Sequence, residues 1–311
     1  MRQPSSLRQT LLSYIMAMLA MTGSAMTAAG EVTLILSEDA AAYREVAESI
    51  RGRLADTASA DIVLPGSLRG IARKDLRYLV AVGSIAAQAA VASDLDVPLL
   101  VVLLPRAAFE RLDAERRRSG AMSAMSAVYL DQPIERQIDF IRLLLPDARR
   151  LGVLLGPESG KQFAGLQAVV ADRRLSLAAQ RVGNEQELTA STQRLLGKSD
   201  VLLALPDPAI FNAGTIQPIL LATYRQRIPL IGFSASYVRA GAIASLHSTP
   251  AQIGMQAGDM LRAAQARGQL PPPRYPSRYT VATNPHVARS LGIVLESEDV
   301  LMQRMKVLEA R

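Results

Sequence analysis

The sequence predicts an α/β protein with two similar lobes, each a parallel sheet covered by helices. Three observations predict it. Short apolar runs alternate with longer amphipathic stretches, the pattern of βαβ units. The runs are apolar throughout rather than at every second residue, as in strands covered on both faces. The set then occurs twice, and a length of 311 residues suits two domains better than one.

Residues 1–30 are unlike the rest. Arg2 and Arg8 make a basic start, Leu11 to Met21 is uncharged, and small residues lead to Gly30. That order is expected of a cleaved secretory signal peptide, and the apolar part is shorter than the roughly 20 residues of a membrane span. The chain contains no cysteine, which excludes disulfides and a lipoprotein anchor. The expected product is therefore exported, unanchored and free in a periplasm. The formal net charge of +7 fits solubility rather than a nucleic-acid footprint. The arginines of ERLDAERRRSG (110–120) alternate with acids, as on a solvated helical face.

In the first set VTLIL (32–36) precedes a helix with Tyr43 in its first turn, YLVAVG (78–83) precedes SIAAQAAVASD, and VPLLVVL (97–103) closes the set. In the second, RLGVLLG (150–156) precedes a helix opening near Phe163, DVLLAL (200–205) precedes a segment from Phe211 to Arg227, and IPLIGF (228–233) follows. Between the sets, Pro133 should sit in the first turn of a helix running to Leu145, begun by Asp131 or Gln132 and stopped by Pro146. A helix should follow Thr249-Pro250, and the triple proline 271–273 should make a stiff, extended connection between lobes.

Catalytic signatures fail one by one. GPESGKQ (156–162) has three residues between its glycines where a phosphate loop has four, and Gln162 follows Lys161 where Ser or Thr would bind magnesium. GFSAS (232–236) has Ser236 where a nucleophile elbow has its second glycine, which leaves a Ser234/His247 pair only as the hydrolase alternative. His286 is expected in the first turn of a helix. Two histidines and no cysteine give no transition-metal pattern, and no dinucleotide GxGxxG is present. No cofactor or metal is expected.

A binding site remains. In open parallel sheets ligands sit beyond the carboxyl ends of the strands, and those ends are polar here: Ser37, Ser84, Glu158 and Ser159, Pro206 and Asp207, Phe233 and Ser234. Ser84 opens a helix whose free N–H groups favour an anion such as a carboxylate, or serves simply as its N-cap. Tyr43, Tyr129, Phe163 and Phe211 are the aromatics placed to wall a ligand.

The stretch LPDPAIFNAGTIQPILLATYRQRIPLIGFSASYVRAGAIASLHSTPAQIG resembles the second-lobe region of ABC-transporter substrate-binding proteins, in the group that includes tryptophan/tyrosine-binding members. NPHVARSLGIVL, GSIAAQAA and QPIERQIDFIRLLLPDARRLGVLL fit as well. The resemblance implies the periplasmic-binding-protein type I architecture: two Rossmann-like lobes with parallel sheets, joined by three crossings and closing like a hinge. It implies an N-terminal lobe of 31–128 plus 248–279 and a C-terminal lobe of 129–247 plus 280–311. The implied ligand positions are Ser37, Ser84, Ile85, Asp131, Glu158, Ser159, Pro206, Asp207 and Phe233, with Tyr129, Phe211 and Ser234 alongside. The implied function is a monomer that captures a small ligand, an amino acid or other carboxylate among the candidates, and delivers it to a membrane transporter permease. A sensor subunit for a membrane receptor kinase is the alternative within binding proteins. The chain departs from the family pattern at VVLLPRAAFERLDAERRRSGAMSAMSAVYLD, which lacks the Asp-Pro and Gly-x-Val-Thr-Gly elements; Val128 or Tyr129 stands where the final Gly would be.

Overall fold

The computed structural model describes residues 31–71 and 76–310; the expected signal segment lies outside them. Strands β1 (Val32–Leu36), β2 (Ala60–Val63), β3 (Tyr78–Val82), β4 (Leu99–Leu104) and β5 (Met125–Tyr129) form a parallel sheet in the order β2-β1-β3-β4-β5. The helices between them are α1 (Ala41–Leu54), α2 (Ser84–Val91) and α3 (Arg106–Arg118), with a 3-10 turn at Pro65–Gly70. Every residue of β1 and β3 is buried, which is why both read as unbroken apolar runs.

The second half repeats the plan. It contains α4 (Ile134–Leu144), β6 (Arg150–Leu155), a 3-10 turn at Ser159–Gln162, α5 (Phe163–Asp172), β7 (Ser176–Arg181) and α6 (Glu185–Leu196). There follow β8 (Val201–Leu203), α7 (Ile216–Arg225), β9 (Leu230–Gly232), α8 (Ala235–Ala240) and β10 (Ala244–His247). Its sheet runs β11-β10-β9-β8-β6-β7, where β11 (Thr280–Thr283) is antiparallel to β10 and the others are parallel. Each sheet has an apolar core on both faces.

The chain passes between the halves three times. It crosses after β5, and again from β10 into α9 (Pro250–Arg267), which lies on α1 and adds Ile253, Ala257, Met260 and Leu261 to the core of the first sheet. It returns through 271–279 to β11, then ends in α10 (Pro285–Leu291) and α11 (Glu298–Glu309). Helices α9 and α1 approach closely because Gly254 and Gly258 lack side chains: a Cβ on Gly254 would lie 2.6 Å from the Val46 carbonyl oxygen. A capping box of Thr249 and Gln252 with Pro250 in the first turn starts α9 at the crossing.

Several elements differ from expectation. Pro133 is the N-cap of α4 rather than part of its first turn, and the helix ends at Leu144, a shift within the usual uncertainty of helix ends. Of DVLLAL only Val201–Leu203 pairs as a strand, and His247 is the last residue of β10. Strands β2 and β7 were not anticipated, since as edge strands they are half exposed and not apolar throughout. His286 does lie in the first turn of α10.

Candidate functional site

The carboxyl ends of both sheets face a cavity of about 260 Å³ between the two halves. Strand β4 leads to it through a β-bulge between Val102 and Leu104, where Leu103 takes a left-handed φ of 55°. Such a conformation is costly for a branched side chain, and it is commonest where a backbone is held for function. Beyond the bulge Pro105 starts α3, and Arg106 and Glu110 project into the cavity from one side. Arg106 donates to Glu110 at 2.7 Å and to the Tyr275 hydroxyl at 3.0 Å. These two bonds, that to Tyr275 first, push its pKa above the ordinary arginine value and keep it charged.

Asp131 forms the floor at the first crossing. Its Oδ2 accepts the Arg106 backbone N–H at 2.6 Å, so a side chain from the crossing caps the helix of the first half. Burial pushes its pKa up to about 6. Gln132 beside it accepts from Arg136 and donates to Ser248, tying the first crossing to the second. Gln137, only 6% exposed, donates from Nε2 to the Leu246 carbonyl, which fixes its amide orientation. Its Oε1 is buried without a hydrogen-bond partner, and the residue lines the cavity. From the other half come Lys161, Gln162, Pro206 and Phe233.

Of the residues anticipated from sequence, Asp131, Pro206 and Phe233 meet in this cavity. The others take neighbouring positions. Ser37 donates to the Val82 carbonyl at 2.9 Å and accepts from the Ala86 N–H at 3.0 Å, so it caps α2 from outside. The N-cap position of α2 belongs to Gly83, at φ 90°, and not to Ser84; a Cβ there would lie 2.6 Å from the Ser37 hydroxyl. Ser84 and Ile85 are exposed. Tyr129 is buried edge-on between Phe109 and Tyr275, and Phe211 backs Phe233.

Asp207 turns into its own half. It accepts from the Glu158 and Ser159 N–H groups, the Ser159 hydroxyl and the Ala209 N–H, and only 1% of it is exposed. It locks the loop after β6 to the loop after β8. Glu158 reaches out from that loop to Arg111 of α3, at 3.3 Å. The Ser234/His247 pairing is not formed: Ser234 bonds Ser236 at 2.6 Å, and His247 Nδ1 bonds Ser245 at 2.9 Å. Burial lowers the His247 pKa to about 4.

Sequence reasoning missed Arg106, Glu110, Gln132, Gln137, Lys161, Gln162 and Tyr275. Arg106 follows a strand end as directly as Ser37 does, and that signal was available. Lys161 belongs to GPESGKQ, whose spacing fails as a phosphate loop but leaves the cation beside a strand end. Tyr275 reaches the cavity only because the connection after α9 lies along β5, where Arg274 bridges Val128.

Two sheets whose five parallel strands follow the same order around one cleft, with three crossings, define the type I architecture of periplasmic binding proteins. The chain matches the family described as ABC transporter substrate binding protein over residues 51–308, and it belongs to that family. A conserved domain protein from Vibrio cholerae shares the fold at a TM-score of 0.63 and 22% identity, over 88% of this chain and 97% of that one. The ABC domain from Streptococcus pneumonia in complex with L-Trp gives 0.62 and 16%, over 88% and 98%. A ligand-free, open substrate binding protein with adhesive properties from Clostridium difficile gives 0.66 and 16%, over 86% and 96%. Comparison with curated proteins gives no match.

Proposed function

We propose that this protein is a solute receptor that captures a small polar or amphipathic molecule in the cavity between its lobes and hands it to an ABC-type permease. The lobes of this reading are 31–128 with 248–279, and 129–247 with 280–311. The reading places the protein in the periplasm after removal of residues 1–30, on the basic, apolar, small-residue order of that segment.

One observation carries the reading above all. Gln137, a residue that lines the cavity walled by both halves, carries in Oε1 a buried acceptor with no partner. A buried polar atom left unpaired costs on the order of 1–3 kcal/mol, and a ligand donor entering the cavity would remove that cost. Asp131 and Glu110 add acceptors, while Lys161 supplies a cation on the opposite wall. A molecule with a donor at one end and an acceptor or carboxylate at the other matches these walls, with Phe233 and Leu166 against its apolar part.

The test is a thermal-shift screen of the mature protein against amino acids (L-tryptophan first), sugars, nucleosides and organic acids. A true ligand at about 100 times its dissociation constant raises stability by about 2.7 kcal/mol, and Gln137→Leu should weaken that ligand's effect. If no class of compound moves the melting temperature, the receptor reading fails.

A further inference from the structure

Helix α3 is laced with ion pairs, and all but one stay within its own half. Arg106 pairs with Glu110, Arg117 with Asp113, and Arg116 with Asp96 on the neighbouring loop. Arg111 is different. Its guanidinium forks: Nη1 holds Glu115 one turn on at 3.2 Å, and Nη2 holds Glu158 of the opposite half at 3.3 Å. Side chains in this pair are 34% and 21% exposed, so water screens them only in part. Among the described residues it is the side-chain ion pair that joins α3 to the loop after β6.

Both partners are presented firmly. Arg111 is set by the helix that Asp131 caps, and the Glu158 backbone is set by its N–H bond to the buried carboxylate of Asp207. Yet the pair is incompletely satisfied, because Glu158 Oε2 is buried with no hydrogen-bond partner. In the arrangement seen here the Glu158 charge therefore depends on Arg111 for its compensation; with the lobes drawn apart, water would reach both oxygens. Removing the guanidinium should penalise closure more than it affects either lobe alone, since a carboxylate left alone in a closed seam is costly. Removing the carboxylate as well should lift that penalty.

We propose that Arg111 and Glu158 form an electrostatic latch across the mouth of the cleft, which sets how often the empty protein closes. The proposal rests on the receptor reading only in taking the lobes to open and close, and it requires no ligand.

The chain has no cysteine, so Gln88→Cys and Ala213→Cys, exposed positions on the two lobes, give a unique pair of spin labels. Distances between them are measured in the ligand-free mature protein by pulsed electron resonance. Raising salt shortens the Debye length from about 30 Å at 0.01 M to about 3 Å at 1 M, and should move the population several-fold toward the longer distance. Arg111→Ala should lower the closed-to-open ratio about tenfold, and adding Glu158→Gln to it should recover most of that loss. Circular dichroism and the melting temperature identify any variant that fails to fold, and the salt series on the unmodified pair needs no variant at Arg111. Distances indifferent to salt, to Arg111→Ala and to the double change would overturn the latch, as would an empty protein that is wholly open at low salt. Such a failure leaves the receptor reading standing, since that is judged by ligand shifts. A failed ligand screen would likewise leave the distance measurement interpretable.

Discussion

The two sheets share a strand order, but they organise their cleft-facing loops by different chemistry. In the first, a neutral hydroxyl suffices: Ser37 joins the Val82 carbonyl to the N-terminus of α2, beside a glycine that leaves room for it. In the second, a buried carboxylate does the corresponding work: Asp207 gathers four donors from two loops. The Ser37 hydroxyl gives one bond and takes one, so it pins one contact on either side. A carboxylate only accepts but can serve several N–H groups, so it rigidifies a whole loop. The second lobe thus holds a stiff rim from which Glu158 is offered, while the first offers a helix end.

This difference sets the size of the expected effects. Asp207→Ala leaves four donors without their acceptor and should cost on the order of 4 kcal/mol of unfolding free energy, measured by urea denaturation. A loss below about 1 kcal/mol would mean that water replaces the carboxylate freely, and the contrast between lobes would collapse.

Next in size is a pH effect at the crossings. The Asp131 pKa rises from 3.8 to about 6, so its folded form binds a proton more strongly than its unfolded form. Its contribution to stability is present below pH 3.8 and is lost as pH climbs through 6, roughly 3 kcal/mol in all. His247 runs the other way. Its pKa falls from 6.5 to about 4, so its contribution is present above 6.5 and disappears as pH drops through 4. The two slopes oppose each other, and the unaltered protein should show little net change from pH 6.5 to 4 from this pair. Asp131→Asn should expose the histidine slope, with stability falling toward acid; His247→Gln should expose the opposite one. Denaturation midpoints at several pH values decide it.

The smallest effect is expected at Ser37. Ser37→Ala removes two neutral bonds and should cost about 1–2 kcal/mol, clearly less than Asp207→Ala by the same measurement.

The centre of each sheet was legible in sequence because doubly covered strands must be apolar throughout, as VTLIL and YLVAV are. Edge strands β2 and β7 were not, since a half-exposed strand can be written with Asp61, Gln180 and Arg181. The candidate site was legible only as an address. Strand ends pointed to Asp131, Pro206 and Phe233, which do line the cavity. Position along a chain does not say which way a side chain turns, so Asp207 and Ser159 were read as facing a ligand while they bond each other. Nor does a sequence reveal an unpaired atom: Gln137 is one more polar residue on an amphipathic helix until Leu246 fixes its amide.

The three crossings also bear on the order in which the molecule can be made. The first sheet is complete at Tyr129, yet α9, which covers α1 and contributes Ile253, Ala257, Met260 and Leu261 to its core, emerges from the ribosome only after five strands of the second sheet. The second sheet in turn waits for β11 to cover the edge of β10. Neither lobe can finish before the other is largely synthesised, and contacts so distant in sequence close slowly. A nascent chain of this design therefore stays incomplete for most of its length.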